Sequence, residues 1–336
     1  MNPQKNKVMI KKVSTICLVI FFAFACKKKE TTQPTPQPST TTGAAAVCPT
    51  CSFPDTVWAS TGTGAKLIFK FKFDSTQVRL DQFGSPSTVN TASNAAYSPV
   101  FNGMSAHYIE LSSTDLTQVG QGKVLFKAAE TTCGGTTAIT FCQSTVVKDG
   151  DVFFSTPITA ALAGTYKWLR VSLAYQNYDI KVKTTSAGIT DGTIASFVGY
   201  NTYVTKYKMK SAVMTPTTGG TGNHLQGYWG FYTKVFTVDY FADGQAPQTT
   251  VVNPNPNSPI PAGSCLVTGA FVTNANPTFL TPLVITGNET QDIIITVSLS
   301  TNKSFEWNEL THDGYFQPEI GEKPVDMGIR GMIPKY

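Results

Sequence analysis

The stretch Leu67-Ile68-Phe69-Lys70-Phe71-Lys72-Phe73 alternates strictly, with Leu67, Phe69, Phe71 and Phe73 on one face and Lys66, Lys70 and Lys72 on the other. Successive side chains of a strand point to opposite sides, so this pattern describes a strand packed on one face and wet on the other. Similar runs follow at 107–112, 123–128, 152–155, 165–183, 200–214, 228–241, 265–273, 282–286 and 292–300. Clusters of Gly, Pro, Asn and Asp separate them, and helical periodicity is absent. Many strands without strand–helix alternation predict an all-β chain, folded as an antiparallel Greek-key β-sandwich.

Composition agrees with that class. Hydrophobic residues make up 41% of the 336 residues and charged ones only 14%, against roughly a quarter in an average soluble protein. Few charges with much Thr, Ser, Gly and Asn suit an extracellular β-protein. The formal charge of +5 is concentrated at the front. Removing residues 1–25 takes away four lysines and no acids, leaving 22 basic against 21 acidic groups, a net +1. A nearly neutral body offers no bulk attraction to nucleic acid.

Those lysines (Lys5, Lys7, Lys11 and Lys12) precede an uncharged, mostly apolar run from Val13 to Ala25. Thirteen residues are too few to cross a bilayer, which takes roughly 20 as a helix. A basic start, a short apolar middle and small residues at the exit describe a secretory signal. The segment ends in Phe22-Ala23-Phe24-Ala25-Cys26. It resembles a bacterial lipoprotein signal, in which small residues precede a Cys that is acylated after cleavage. The resemblance implies lipidation at Cys26 and attachment to the outer membrane, facing the periplasm or the exterior. Phe24 is bulky for its place in that pattern.

The chain then divides by composition. Residues 26–47 carry Lys27-Lys28-Lys29 and a Thr-, Pro- and Gln-rich run that cannot bury enough surface to fold, and so predict a disordered stalk. The lysines fit anionic head groups beside the anchor, or simply keep the tether solvated. The sandwich is expected over 48–336, with 243–263 as a structureless Pro- and Asn-rich loop. The alternative is two β domains, 48–242 and 264–336, but the second is small for a core of its own. Val325, Met327 and Ile329 predict a last strand, with Arg330 paired to Asp326.

Seven cysteines are present. Cys17 leaves with the signal and Cys26 carries lipid, so Cys48, Cys51, Cys133, Cys142 and Cys265 remain as disulfide candidates in an oxidising compartment. A local Cys133–Cys142 bridge across Gly134-Gly135 is the first expectation. Either Cys265 then joins Cys48 or Cys51, or Cys48 and Cys51 close on each other; one thiol is left over in both cases. Cys48-Pro49-Thr50-Cys51 has redox-dithiol spacing without the strand–helix context such motifs use, which favours a structural bridge.

Among chemical candidates, Glu309, Thr311 and Asp313 place side-chain oxygens at alternating positions, followed by Gly314 and then Glu319 and Glu322. Hard Ca²⁺ takes six to eight oxygens from a tightly turned backbone. The stretch resembles the Asp-x-Asn-x-Asp-Gly loops of calcium-binding β-domains, with Glu first, Thr third and Ile320 in the twelfth place. The runs at Leu67–Phe73, His107-Tyr108-Ile109-Glu110-Leu111 and Ala163-Gly164-Thr165-Tyr166-Lys167-Trp168-Leu169-Arg170 together resemble an exported family of copper-binding β-sandwich proteins associated with methanobactin systems. The resemblance covers roughly a third of the chain and brings no diagnostic motif. It implies copper held by histidines and an oxidised tryptophan, roles for which only His224 and Trp229 are on offer.

Other chemistries find less support. Gly103-Met104-Ser105-Ala106-His107 lacks the second Gly of a nucleophile elbow, and there is no His-Glu-x-x-His or phosphate loop. Tyr228, Trp229, Phe231 and Tyr232 could stack on sugars, although alternating strand aromatics usually fill cores. Lys181, Lys183, Lys206, Lys208 and Lys210 could form a basic strip for an acidic glycan, or protect sheet edges. The expectation is a lipid-anchored lipoprotein that binds a protein or glycan, or serves surface assembly, without catalysis. A calcium or copper carrier is the alternative, and a glycan-acting hydrolase the second alternative.

Overall fold

In the computed structural model of the protein, Leu67, Phe69 and Phe71 are fully buried while Lys72 is exposed. The structure describes residues 48–51, 62–80, 86–89, 92–247 and 257–336. The signal segment, Cys26 and the stalk read at 26–47 lie outside the described residues. Among the described residues, regular structure is strand, interrupted by three single-turn 3-10 segments.

Eleven strands build the body: β1 (Lys66–Asp74), β2 (Val100–Ser112), β3 (Lys123–Lys127), β4 (Val152–Pro157), β5 (Trp168–Thr184), β6 (Gly188–Phe197), β7 (Tyr228–Val235), β8 (Val238–Gln245), β9 (Cys265–Ala270), β10 (Ile293–Ser300) and β11 (Met332–Lys335). One sheet has the order β11-β10-β1-β4. The other runs β8-β7-β6-β5-β2-β3, with β9 also paired to β5. Shorter strands form small sheets around them. The pairings are antiparallel with one major exception. β1 and β10 run parallel from Leu67↔Ile293 to Asp74↔Ser300, because the chain returns to β1's free edge after more than two hundred residues rather than through a hairpin.

The two sheets pack face to face. Leu67, Phe69 and Phe71 of β1, Phe153 and Phe154 of β4, and Ile295, Val297 and Leu299 of β10 meet Ile109 and Leu111 of β2 and Leu169, Val171 and Leu173 of β5. Phe71 and Phe153 stack at 3.8 Å between ring centres. The apolar layer continues through Phe73, Phe101 and Tyr178 into a second cluster of Ile180, Val182, Ile194, Trp229, Phe231, Phe305, Trp307 and Phe316. The opposite face of β5, β6 and β7 is covered too. There Phe141, Tyr175, Phe197, Val204, Tyr207, Met209, Met214 and Tyr228 pack together.

Several expectations need correction. The run at 200–214 breaks into Asn201–Val204, Tyr207–Met209 and Ala212–Met214, turned at Lys210 with φ +51°. The run at 228–241 is a hairpin, turned at Phe236 with φ +55°. Asp243, Gly244 and Gln245 belong to β8 rather than to a structureless loop, and Ile260 is buried against Tyr108 and Val119. The tail forms two short strands, Pro324–Asp326 and β11, with Met327 and Ile329 buried between them. Arg330 does pair with Asp326, at 2.9 Å.

The cysteine pairing also differs. Cys48 bonds Cys133 and Cys51 bonds Cys142, with Cα separations of 5.6 and 4.6 Å, leaving Cys265 as the free thiol among the described residues. The local Cys133–Cys142 bridge fails because Ala138–Thr140 between them is extended strand, carrying the chain roughly 10 Å. The two long-range bridges instead strap residues 48–51 onto the body.

On the outer face of β7, Tyr207 lies over Gly230, where a Cβ would land on its ring. Gly230→Ala should cost about 1–3 kcal/mol through overpacking. Urea denaturation should register this as a lower midpoint at unchanged slope.

Candidate functional site

The loop after the Phe305–Asn308 strand owes its turns to His312 (φ +54°), Gly314 (φ +77°) and Gly321 (φ +97°). Most of its side-chain carboxylates accept from the protein's own donors. Glu309 Oε1 accepts from Thr311 Oγ1 and the Asp313 amide, each at 3.3 Å. Asp313 Oδ2 accepts from Lys183 Nζ at 2.6 Å and Gln317 Nε2 at 2.8 Å. Glu319 turns away to the Thr185 amide and hydroxyl. Glu322 accepts from the amides of Leu310 and Gln317 at 2.9 and 2.6 Å. Hydrogen bonding to the Lys183 ammonium holds the Asp313 carboxyl below its ordinary range. Burial, with the Glu309 carboxyl beside it, pushes Glu322 up.

This geometry does not form the calcium cage expected from Glu309, Thr311, Asp313, Glu319 and Glu322. Among the described residues, no three His, Cys, Asp or Glu side chains come together to hold a metal ion. Lys183 supplies the positive charge at Asp313, and the loop is stapled by hydrogen bonds. What the structure does bring together is a buried carboxyl pair, Glu309 with Glu322. Glu309 Oε2 is buried without a hydrogen-bond partner.

His224 and Trp229 do not share a site. The His224 ring stacks on Tyr228 at 3.9 Å, and its Nε2 lies 2.9 Å from the Gly220 carbonyl. Burial lowers its pKa, which favours the neutral ring. Tyr228 faces the outer cluster, whereas Trp229, one residue on, faces the opposite cluster. Strand alternation thus separates the two side chains that copper would need. Tyr228 donates to Asp243 Oδ2 at 2.8 Å. Burial raises the Asp243 carboxyl, but hydrogen bonds from Thr217, Thr218 and Tyr228 outweigh it and hold the group at about 2. Tyr228, Trp229 and Phe231 are all buried, as core rather than a sugar platform. Of the five lysines read as a strip, Lys181, Lys183 and Lys210 are paired to Asp191, Asp313 and Asp179.

One cluster has no signature in the sequence. The β2–β5 register slips around His107, and its Nε2 meets Glu130 Oε1 at 3.0 Å. Glu130 also accepts from Lys127 Nζ at 2.9 Å and the Tyr200 hydroxyl at 3.1 Å. Burial pushes Glu130 up, yet the His107 and Lys127 hydrogen bonds prevail and hold it at about 2. Burial lowers the His107 pKa. The imidazole is fully buried, and through Glu130 it ties β2 to Lys127 and Tyr200. Ser105, on the same strand, is equally buried.

The surface feature that stands out is the β7–β8 hairpin. Phe236 is 79% exposed, Val238 52%, Tyr240 48% and Phe241 47%. β8 ends its sheet, and among the described residues no strand pairs along its outer edge, though the Thr218 hydroxyl donates to the Asp243 carbonyl at 3.2 Å. Its charges are turned to neighbours in the same chain: Asp239 lies near Lys234 at 3.8 Å, and Asp243 holds Thr217 and Thr218. Backbone donors and acceptors on such an edge can take an added strand, while the side chains supply apolar area.

The carboxyl pair makes a stability statement. A raised Glu322 pKa means that the folded state favours its proton, so this contribution is present at low pH and lost as pH rises through the folded value. Glu309→Gln keeps the Oε1 acceptor and puts a donor beside Glu322. It should raise stability by about 1 kcal/mol at neutral pH and flatten the dependence above the usual glutamate pKa. Thermal melts of both proteins between pH 4 and pH 8 check this.

The chain matches no family model, no curated protein and no solved structure.

Proposed function

We propose that this protein is a non-catalytic lipoprotein of the bacterial outer membrane. In this reading an acylated Cys26 tethers it, the following linker holds it off the bilayer, and the sandwich binds an envelope protein that adds an extended strand to β8. The observation that carries the binding reading is the exposed apolar edge at Phe236, Val238, Tyr240 and Phe241. Natural sheets guard free edges with lysine, proline, bulges or cover, and this one presents aromatic rings instead. The tether rests on the basic, apolar and small-residue order before Cys26. The two disulfides fit an oxidising compartment.

The partner is assigned by chemistry: an extended polypeptide with apolar side chains on alternate positions. Main-chain hydrogen bonds would give affinity, and the hairpin's rings would select the sequence. A photo-crosslinking side chain in place of Val238 should join one discrete envelope protein in intact cells. Tyr240→Lys with Phe241→Glu should abolish that product while shifting unfolding by less than about 0.5 kcal/mol, as exposed substitutions do. Cys26→Ser, in the same cells, should move the protein from the membrane fraction to the soluble one. A crosslink that survives the double substitution, or one that joins only lipid, removes the binding reading.

A further inference from the structure

The β7–β8 hairpin closes on the pair Val235↔Val238, with Phe236 and Thr237 as its two-residue turn. In such a hairpin the closing pair exchanges both backbone hydrogen bonds, and successive residues then turn their backbone groups alternately inward and outward. Val238, Tyr240 and Ala242 therefore direct theirs to β7, while Asp239, Phe241 and Asp243 present theirs to the open side. Two hydrogen bonds fix this phase. The Ala246 amide donates inward to the Gly227 carbonyl at 2.9 Å, and the Asp243 carbonyl accepts from outside, from the Thr218 hydroxyl at 3.2 Å. The second bond closes the far end of the edge, and the turn at Phe236 closes the near end. Between them stand the amides and carbonyls of Asp239 and Phe241, without partners among the described residues. We infer that this gap takes an antiparallel strand in which a β-branched or aromatic residue opposite Tyr240 is followed directly by Lys or Arg opposite Asp239. The inference rests on the reading of β8 as a strand acceptor.

Backbone geometry selects the direction and the closest contact. Antiparallel pairing is the more stable per residue, and it lets directly opposed residues exchange two bonds at Asp239 and two at Phe241. Tyr240 then lies in a non-hydrogen-bonded pair, where opposed Cα atoms come within roughly 4.5 Å and side chains touch most closely. Its side chain is 48% exposed, and aromatic or β-branched residues gain most from such a pairing. Charge selects the residue that follows. The Asp239 side chain is 47% exposed. Its Oδ1 accepts from the Tyr232 hydroxyl at 3.1 Å and lies 3.8 Å from Lys234 Nζ, beyond hydrogen-bonding distance. Its Oδ2 has no partner among the described residues. A cation arriving on the open side, on the same face of the sheet, meets both a negative charge and a free acceptor. Asp243 offers no second place of this kind, because its carboxylate already accepts from Thr217, Thr218 and Tyr228.

A random heptapeptide library displayed on phage and selected against the purified full chain supplies the probe. Peptides whose binding is lost in Tyr240→Lys with Phe241→Glu should share an aromatic or β-branched residue followed directly by Lys or Arg. Replacing that basic residue by Glu in a synthetic peptide should weaken binding about fivefold, since a pair of opposite charge becomes one of like charge. Selection against Asp239→Lys should bring Glu or Asp to the same place, and selection against Asp239→Asn should remove the charge preference. If no selected peptide depends on Tyr240 and Phe241, the strand-acceptor reading falls together with this one. If peptides do depend on them but lack the basic residue, carry it ahead of the aromatic or β-branched one, or keep it against Asp239→Lys, only the assigned sequence and direction are overturned.

Discussion

One strand has to satisfy three partners. β5 pairs with β2 along one edge and divides its other edge between β9 and β6. At seventeen residues it far exceeds the usual five or six. The division falls at Ala174, which the β2 ladder skips between Ser105↔Tyr175 and Ala106↔Leu173. A one-residue slip exchanges the faces of a strand. Before Ala174 the odd-numbered Leu169, Val171 and Leu173 face the sandwich core, and after it the even-numbered Tyr178, Ile180 and Val182 take over. Without that bulge the second half of β5 would turn its core residues to the wrong side. The Ala174 carbonyl accepts from both Val198 and Gly199 amides at 3.0 Å, which fixes where β6 ends. A Cβ at Gly199 would meet the Cδ1 end of Ile139, which would have to shift to admit it.

The same body buries several charges, each with an assigned neighbour. Glu110 is fully buried and accepts from the Gly120 and Gly122 amides and from Tyr108, with Arg170 at 3.7 Å. Glu306 receives Arg79 at 2.7 Å and Arg330 at 3.0 Å. A buried pair adds little net stability compared with apolar packing, but removal of one partner strands the other at a cost of about 3–5 kcal/mol. These groups therefore act on which pairings are tolerated. The Arg79–Glu306–Arg330 set ties the exit of β1 to the tail, and a register in which the tail missed its place would part the Arg330 guanidinium from Glu306 and leave Glu306 with Arg79 alone.

Much of this was legible in the sequence, and the rest was hidden for identifiable reasons. Residues 66–74, 123–127 and 293–300 alternate or run apolar between clear turn residues, and they fold as read. β6 went unread because Gly-Ile-Thr-Asp-Gly-Thr-Ile-Ala-Ser-Phe has the composition of a turn. It is covered on both faces in its second half, so no alternation marks it. The parallel β1–β10 contact and the two long-range disulfides depend on return paths of the chain, which local pattern does not encode. Of the site residues, Glu309 and Glu322 do meet, while His224 and Trp229 part because the neighbouring strand residues 228 and 229 point to opposite faces. His107 and Glu130 are brought together by a register slip that composition cannot announce.

The contrast among sheet edges gives the β8 hairpin its weight. β3 is short and begins and ends in lysine, Lys123 and Lys127. β4 ends at Pro157 and buries Phe153, Phe154 and Ser155. β11 is covered by the chain at 272–274, whose amides and carbonyls bond Pro334 and Tyr336. Each of these edges carries a recognised protection against strand addition. β8 carries Asp239, but Lys234 lies beside it, and Asp243 is turned to Thr217 and Thr218. With Asp239 beside Lys234 and the Asp243 carboxylate held by hydroxyls and amides of the same chain, the rest of the edge offers apolar contact and backbone groups, neither of which salt screens strongly. Of the edges compared, β3, β4 and β11 are guarded and β8 is lined with rings, which is what supports the proposed strand addition there.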